Sequence, residues 1–196
     1  MIEVIGLNKQ FTTNALYSDY SITFTAPRVC IEAPNGQGKT TLLMMLAGLE
    51  GRQSGEFLFS GNTLNDPHNQ VAIASDRIAL PDFLTAKQII NLSVSALRCD
   101  WPSALISGFN FNEFLNTRFD VLSSGNQKKC QLILALMRGA PYLLLDEPSA
   151  ALDQTSIHYL LTLLDDYLLD KPDGQIIITC HEPEVFIEHG FECMSL

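Results

Sequence analysis

The sequence predicts an α/β domain with a mostly parallel central sheet, an antiparallel β portion ahead of it, and a helical lobe inserted part-way along. Three observations predict this. Short apolar runs, "YLLLDE" at 142–147 and "QIIITC" at 175–180, stand between helix-like stretches, as strands buried on both faces do. The first third of the chain is rich in β-type runs instead. Between about 82 and 125 the strand pattern lapses, and helical runs are punctuated by Pro102 and Gly108.

Taken in order, "IEVIGL", "YSITF" and "RVCIEA" read as strands, the last running into "PNGQGKTT". A helix is expected from about Thr40 to Leu49, with Leu42, Leu43, Leu46 and Leu49 on one side and Gly48 and Gly51 at its end. "SGEFLFSGNTL" reads as a hairpin strand and "QVAIAS" as another. The lobe holds "TAKQIINLSVSAL" and "CDWPSALISGFNFNEFLNTRF". After it come the helix "NQKKCQLILALMRGA", the strand "YLLLDE", the helix "QTSIHYLLTLLDDYLLD" and the strand "QIIITC". Lys128 and Lys129 read as a solvated helix face. With 196 residues, 46% hydrophobic and 17% charged, the chain is expected to form one domain over 1–196.

No apolar run approaches the roughly 18 residues that span a bilayer. The first residues, "MIEVIGLNKQF", lack a basic segment followed by an apolar one, so no signal peptide is expected and the chain should stay in the cytoplasm. A net charge of −10 argues against a nucleic-acid partner, which needs clustered Lys and Arg. It leaves room for a nucleotide, since backbone N–H groups and one lysine can make a phosphate pocket. The five cysteines form no C-x-x-C pair, which argues against metal or disulfide use.

"APNGQGKTT" at 33–41 is the strongest motif. Glycines let successive N–H groups curl around phosphate oxygens, a lysine reaches the β- and γ-phosphates, and a hydroxyl meets Mg²⁺. Asn35, Gly36, Gln37, Gly38, Lys39, Thr40 and Thr41 supply these parts of a P-loop, with Ala33 in place of the usual first glycine. The strand "YLLLDEP" puts Asp146 and Glu147 at the carboxyl edge of the sheet, where ligands bind in such folds. There Asp146 would hold Mg²⁺ and Glu147 would polarise the attacking water. His181 follows a second buried strand that should end on the same edge.

The order P-loop, "LSSGNQKK", "YLLLDEPSAALD" and a strand ending in His, over nearly the whole chain, resembles the nucleotide-binding subunit of ABC transporters. "LSSGNQ" at 122–127 resembles that family's signature, usually written L-S-G-G-Q, with Ser124 and Asn126 as departures. The resemblance implies ATP and Mg²⁺, a head-to-tail pair with a second ATPase subunit, and a separate membrane-spanning subunit on whose cytoplasmic face the chain sits. It implies that Ser123, Ser124 and Gly125 close on the γ-phosphate held by the other subunit's P-loop. It further implies that "SAALD" at 149–153 crosses the dimer interface, and that His181 bonds the γ-phosphate and water. Phe11 stacks on adenine by the same resemblance, with Tyr17 competing for that role. Where the family has a Mg²⁺-ligating glutamine, alignment through "LPDFLTAKQII" places Asp76, whereas Gln70 precedes its strand and lies at the wrong end. A non-transport ABC-type ATPase and a weakly hydrolysing regulatory subunit stay open as alternatives.

Overall fold

The computed structural model describes residues 1–12, 14–169 and 171–196. In chain order the elements are β1 (Ile2–Phe11), β2 (Asn14–Phe24), β3 (Arg28–Glu32), α1 (Lys39–Leu46), β4 (Ser54–Phe59), β5 (Val71–Ala74), α2 (Ala86–Leu97), α3 (Ser103–Gly108), α4 (Ser124–Leu136), β6 (Tyr142–Asp146), α5 (Gln154–Asp166), β7 (Gln175–Thr179), α6 (Glu184–Glu188) and β8 (Glu192–Ser195). Five strands form a parallel sheet in the order β5-β6-β7-β3-β8. A separate antiparallel sheet has the order β2-β1-β4.

Because side chains alternate across a strand, each apolar run feeds two cores. Leu143, Leu145, Ile176 and Ile178 face the helices α4 and α5 and the lobe. Tyr142, Leu144 and Ile177 face α1 and the antiparallel sheet. Fully burying each isoleucine or leucine contributes about 1.5–3 kcal/mol, so a charge anywhere on these strands would be costly. The lobe is fixed at its entry by a capping box. Gln88 N–H donates to Thr85 Oγ1 at 3.3 Å and Thr85 N–H to Gln88 Oε1 at 2.9 Å.

Some sequence expectations are corrected. α1 stops at Leu46 because Gly48 turns left-handed (φ 73°), which leaves Leu49 exposed. The "SGEFLF" strand pairs with β1 along its length and meets the residues that follow it only at one bridge, Phe59 with Asn62. α5 ends at Asp166, and the expected end at Asp170 lies outside the described residues. Lys128 and Lys129 are buried, 2% and 7% exposed, not solvated. The first turns of α4 are packed beneath β5, β6 and the loop before α5, where each ammonium needs an anion. Lys128 Nζ pairs with Asp76 at 2.8 Å, and Lys129 Nζ with Asp153 at 2.7 Å. No described helix is long and apolar enough to cross a membrane.

Candidate ATP site

β3 delivers the chain to the P-loop, and the loop's shape follows from its glycines. Gly36 and Gly38 have φ of 85° and 97°, a region that L side chains rarely adopt. Gly38 is also forced by space, since a Cβ there would stand 2.7 Å from the Tyr17 hydroxyl oxygen. Ala33 is not among the residues with positive φ, so the missing first glycine is not required here. Gly38 caps α1 without a side chain, which leaves the first N–H groups of the helix facing outward for an anion. The Lys39 ammonium is buried and donates to the Ala33 carbonyl across the loop.

These groups line a cavity of about 350 Å³ together with Phe11, Asn35, Thr40, Thr41, Arg77 and Glu147. Gln37 does not line it, because its N–H is spent on Pro34 O at 3.4 Å in the turn. Tyr17 is 6% exposed and packed in the core, whereas Phe11 is 43% exposed and lines the cavity. Lys9 Nζ lies 4.4 Å from the centroid of the Phe11 ring.

Beneath the cavity, Asp146 is 7% exposed and its carboxylate is bonded on both oxygens. Thr40 and Thr179 hydroxyls donate to Oδ1 at 2.9 and 2.8 Å, and Ser75 donates to Oδ2 at 2.7 Å. Thr40 and Asp146 thus set a hydroxyl beside a carboxylate, hard oxygen donors of the kind Mg²⁺ takes, so the residues present fit that ion. Glu147 holds a left-handed backbone (φ 47°), strain that concentrates at functional positions. Its N–H pays for that conformation with bonds to Thr179 O at 3.1 Å and Thr179 Oγ1 at 3.0 Å. Its carboxylate Oε1 is 2.9 Å from His181 Nε2, so two residues 34 positions apart, expected from different strand ends, meet as a pair.

Asp76 does not turn towards this site as expected of a metal ligand. Its carboxylate is committed to Lys128, whose Nζ also donates to Asp146 O at 3.3 Å. The member of that turn lining the cavity is Arg77. Ser75, Arg77 and Lys128 are the site residues that sequence reasoning missed. A hydroxyl closing the apolar strand "QVAIAS" was a signal for Ser75; nothing local marked the other two.

Ser123, Ser124 and Gly125 line a different, open hollow with Asn110, Ala151 and Asp153, and share no lining residue with the P-loop cavity. Ser123 caps α4, accepting from Asn126 N–H at 3.3 Å. Gly125 is required by packing, since a Cβ would stand 2.5 Å from Ala151 O. Asp153 caps α5 through Ser156 N–H at 2.8 Å, and Lys129 beside it holds its carboxyl down at about 2.

The ABC transporter family model matches residues 24–150, well over half of the chain. The chain belongs to the ABC transporter family. Its fold is α/β with the family's parallel and antiparallel sheets, and its activity class is that of an ATP-binding-cassette ATPase. It is 31% identical to the thiamine import ATP-binding protein ThiQ of Histophilus somni over 87% of this chain and 84% of that one. It is 30% identical to the putative ABC transporter ATP-binding protein AlbC of Bacillus subtilis, over 75% of this chain and 66% of that one. With the cytochrome c biogenesis ATP-binding export protein CcmA of Legionella pneumophila it shares 27% identity over 93% of both chains. Its fold matches a dimeric ATP-binding cassette bound to ADP and Pi, with a TM-score of 0.84 at 20% identity, covering all of this chain and 94% of that one.

Proposed function

We propose that this chain, acting as one unit over 1–196, hydrolyses ATP in a head-to-tail pair with a second ATPase subunit. In this reading it drives a separate membrane-spanning subunit from the cytoplasmic face of the inner membrane. The observation that carries the pairing is the separation of the two ATP-facing sets. The P-loop cavity and the Ser123–Gly125 hollow are built by different elements and share no lining residue, which supports a reading in which one ATP meets both across two chains.

In the proposed mechanism, the N–H groups of Gly36 and of Gly38 to Thr41 and the Lys39 ammonium bind the phosphates, and Phe11 stacks on adenine. The Thr40 hydroxyl and the Asp146 carboxylate would hold Mg²⁺, which would supply charge neutralisation at the phosphate oxygens. Glu147 accepts a proton from the attacking water, and His181 aims the Glu147 carboxylate through their 2.9 Å contact. The hydroxyl of Ser123 and the opening N–H groups of α4 reach the γ-phosphate on the second subunit's P-loop. A membrane subunit has a place to dock. A groove of about 270 Å³ lies among β5, α2, α4 and the residues just after α1, with Leu49, Leu80, Leu97 and Leu134 on its walls. Gln131 lines it with a buried, unpartnered Oε1. The relatives' names span import and export, so the cargo is left open.

The test is Glu147→Gln. Turnover should fall by about 10²–10⁴-fold, while ATP binding persists and a dimer appears on size-exclusion chromatography with ATP. A variant that binds ATP normally yet remains a monomer would overturn the pairing.

A further inference from the structure

We propose that Arg77 is a phosphate-binding residue of this site, gripping the terminal phosphate of ATP from the chain that also supplies the P-loop. The inference rests on the ATP site proposed above.

The turn after β5 is tied down on both sides. Ile78 N–H donates to Ser75 O at 3.0 Å, which closes the turn. Arg77 N–H donates to Ser75 Oγ at 3.2 Å, and that hydroxyl donates in turn to Asp146 Oδ2 at 2.7 Å. Ser75 is fully buried, so this backbone position is fixed to the same carboxylate that Thr40 touches. On the far side, the buried Lys128 ammonium draws Asp76 towards α4. With Asp76 held that way, its neighbour Arg77 is directed to the cavity. Its guanidinium Nη1 comes within 3.4 Å of Thr41 Oγ1, in the first turn of α1.

Chemistry gives this placement a purpose. Of the residues that line the cavity, Lys39 and Arg77 are the cations, against Glu147. Among the described residues no carboxylate lies within salt-bridge reach of Arg77, so its charge is not spent inside the protein. A guanidinium presents a planar fork that can donate twice to one phosphate group. Arg77 approaches beside Thr41, next to the Thr40–Asp146 pair and on the same cavity as Glu147, whereas Phe11 and Leu16 make the part suited to a base. That places the fork at the phosphate that Glu147's water attacks, rather than at the sugar or the α-phosphate. A cation here also has a cost, because it competes with Mg²⁺ for the same oxygens. Arg77 should therefore matter most when Mg²⁺ is scarce.

The experiment is calorimetric titration of the whole chain, Arg77→Ala and Arg77→Lys with ATP and with ADP, in Mg²⁺ and in EDTA. Arg77→Ala should weaken ATP about tenfold and ADP less than about twofold, with the larger loss in EDTA. Arg77→Lys should recover part of the ATP loss, because it restores charge without the fork. Arg77 is exposed, so the variants should melt with the unmodified chain; if Arg77→Ala misfolds, the ATP-to-ADP ratio of Arg77→Lys decides alone. Equal losses for ATP and ADP, or none, would overturn the inference and leave the ATP site standing. Failure of the unmodified chain to bind either nucleotide would overturn both.

Discussion

The P-loop cavity and the Ser123–Gly125 hollow are both loops at a helix N-terminus, yet they are built in opposite ways. At the P-loop, two left-handed glycines set the backbone, and a buried carboxylate with three hydroxyl partners holds the floor. The cavity carries cations of its own, Lys39 and Arg77. In the hollow, the Ser123 hydroxyl already serves the helix, and the nearby cation, Lys129, is neutralised by Asp153. The first is complete for an anion by itself. The second offers dipoles without net charge, so it can add to a bound phosphate but not recruit one. Under the proposed pairing, a subunit built this way should bind ATP alone and pair only afterwards.

Three substitutions bear on this contrast, in descending order of effect. Lys39→Ala should weaken ATP by about 10–100-fold, the loss of one charged hydrogen bond. Calorimetry on the isolated chain measures it, and unchanged affinity would remove the P-loop assignment. Gly125→Ala pushes a methyl against Ala151 O, where the gap is 2.5 Å. Destabilisation of about 1–3 kcal/mol should follow, and ATP-driven pairing should fail while single-chain ATP affinity stays within about twofold. If pairing survives with a normal melting temperature, the hollow is not at the interface. The smallest effect concerns Asp153. Its carboxyl is lowered in the folded chain, so the stability it adds is complete above its unfolded value of about 3.9 and disappears as pH falls through about 2. Melting curves of Asp153→Asn against pH should therefore lie below the unmodified chain at neutral pH and converge with it in acid. A gap that persists unchanged at pH 2 would mean that packing, not charge, is lost.

What could be read along the chain was whatever a short stretch encodes by itself. "GQGKTT" dictates a strand–loop–helix because Gly38 must turn left-handed, and "YLLLDE" reads as a strand because four apolar residues in a row, Tyr142 to Leu145, suit a strand buried on both faces. Lys128 defeated the reading because its neighbours in sequence are polar and its partners are not neighbours: Asp76 is 52 positions away. Between Phe11 and Tyr17 the sequence favoured Phe11 without excluding Tyr17, since both sit in alternating β runs and only packing puts Tyr17 under Gly38 and Phe11 at the cavity.

By itself, then, the sequence determined the glycine-rich loop after β3, the two carboxylates Asp146 and Glu147 at the end of β6, and the order of elements that puts them on one sheet edge. Those follow from local backbone preference and from period-two burial, which need no distant partner. Tertiary structure alone decided which residue of the turn after β5 enters the cavity. A buried ammonium must have an anion, and Lys128, carried in by α4, claims Asp76, while Arg77 reaches Thr41 and lines the cavity.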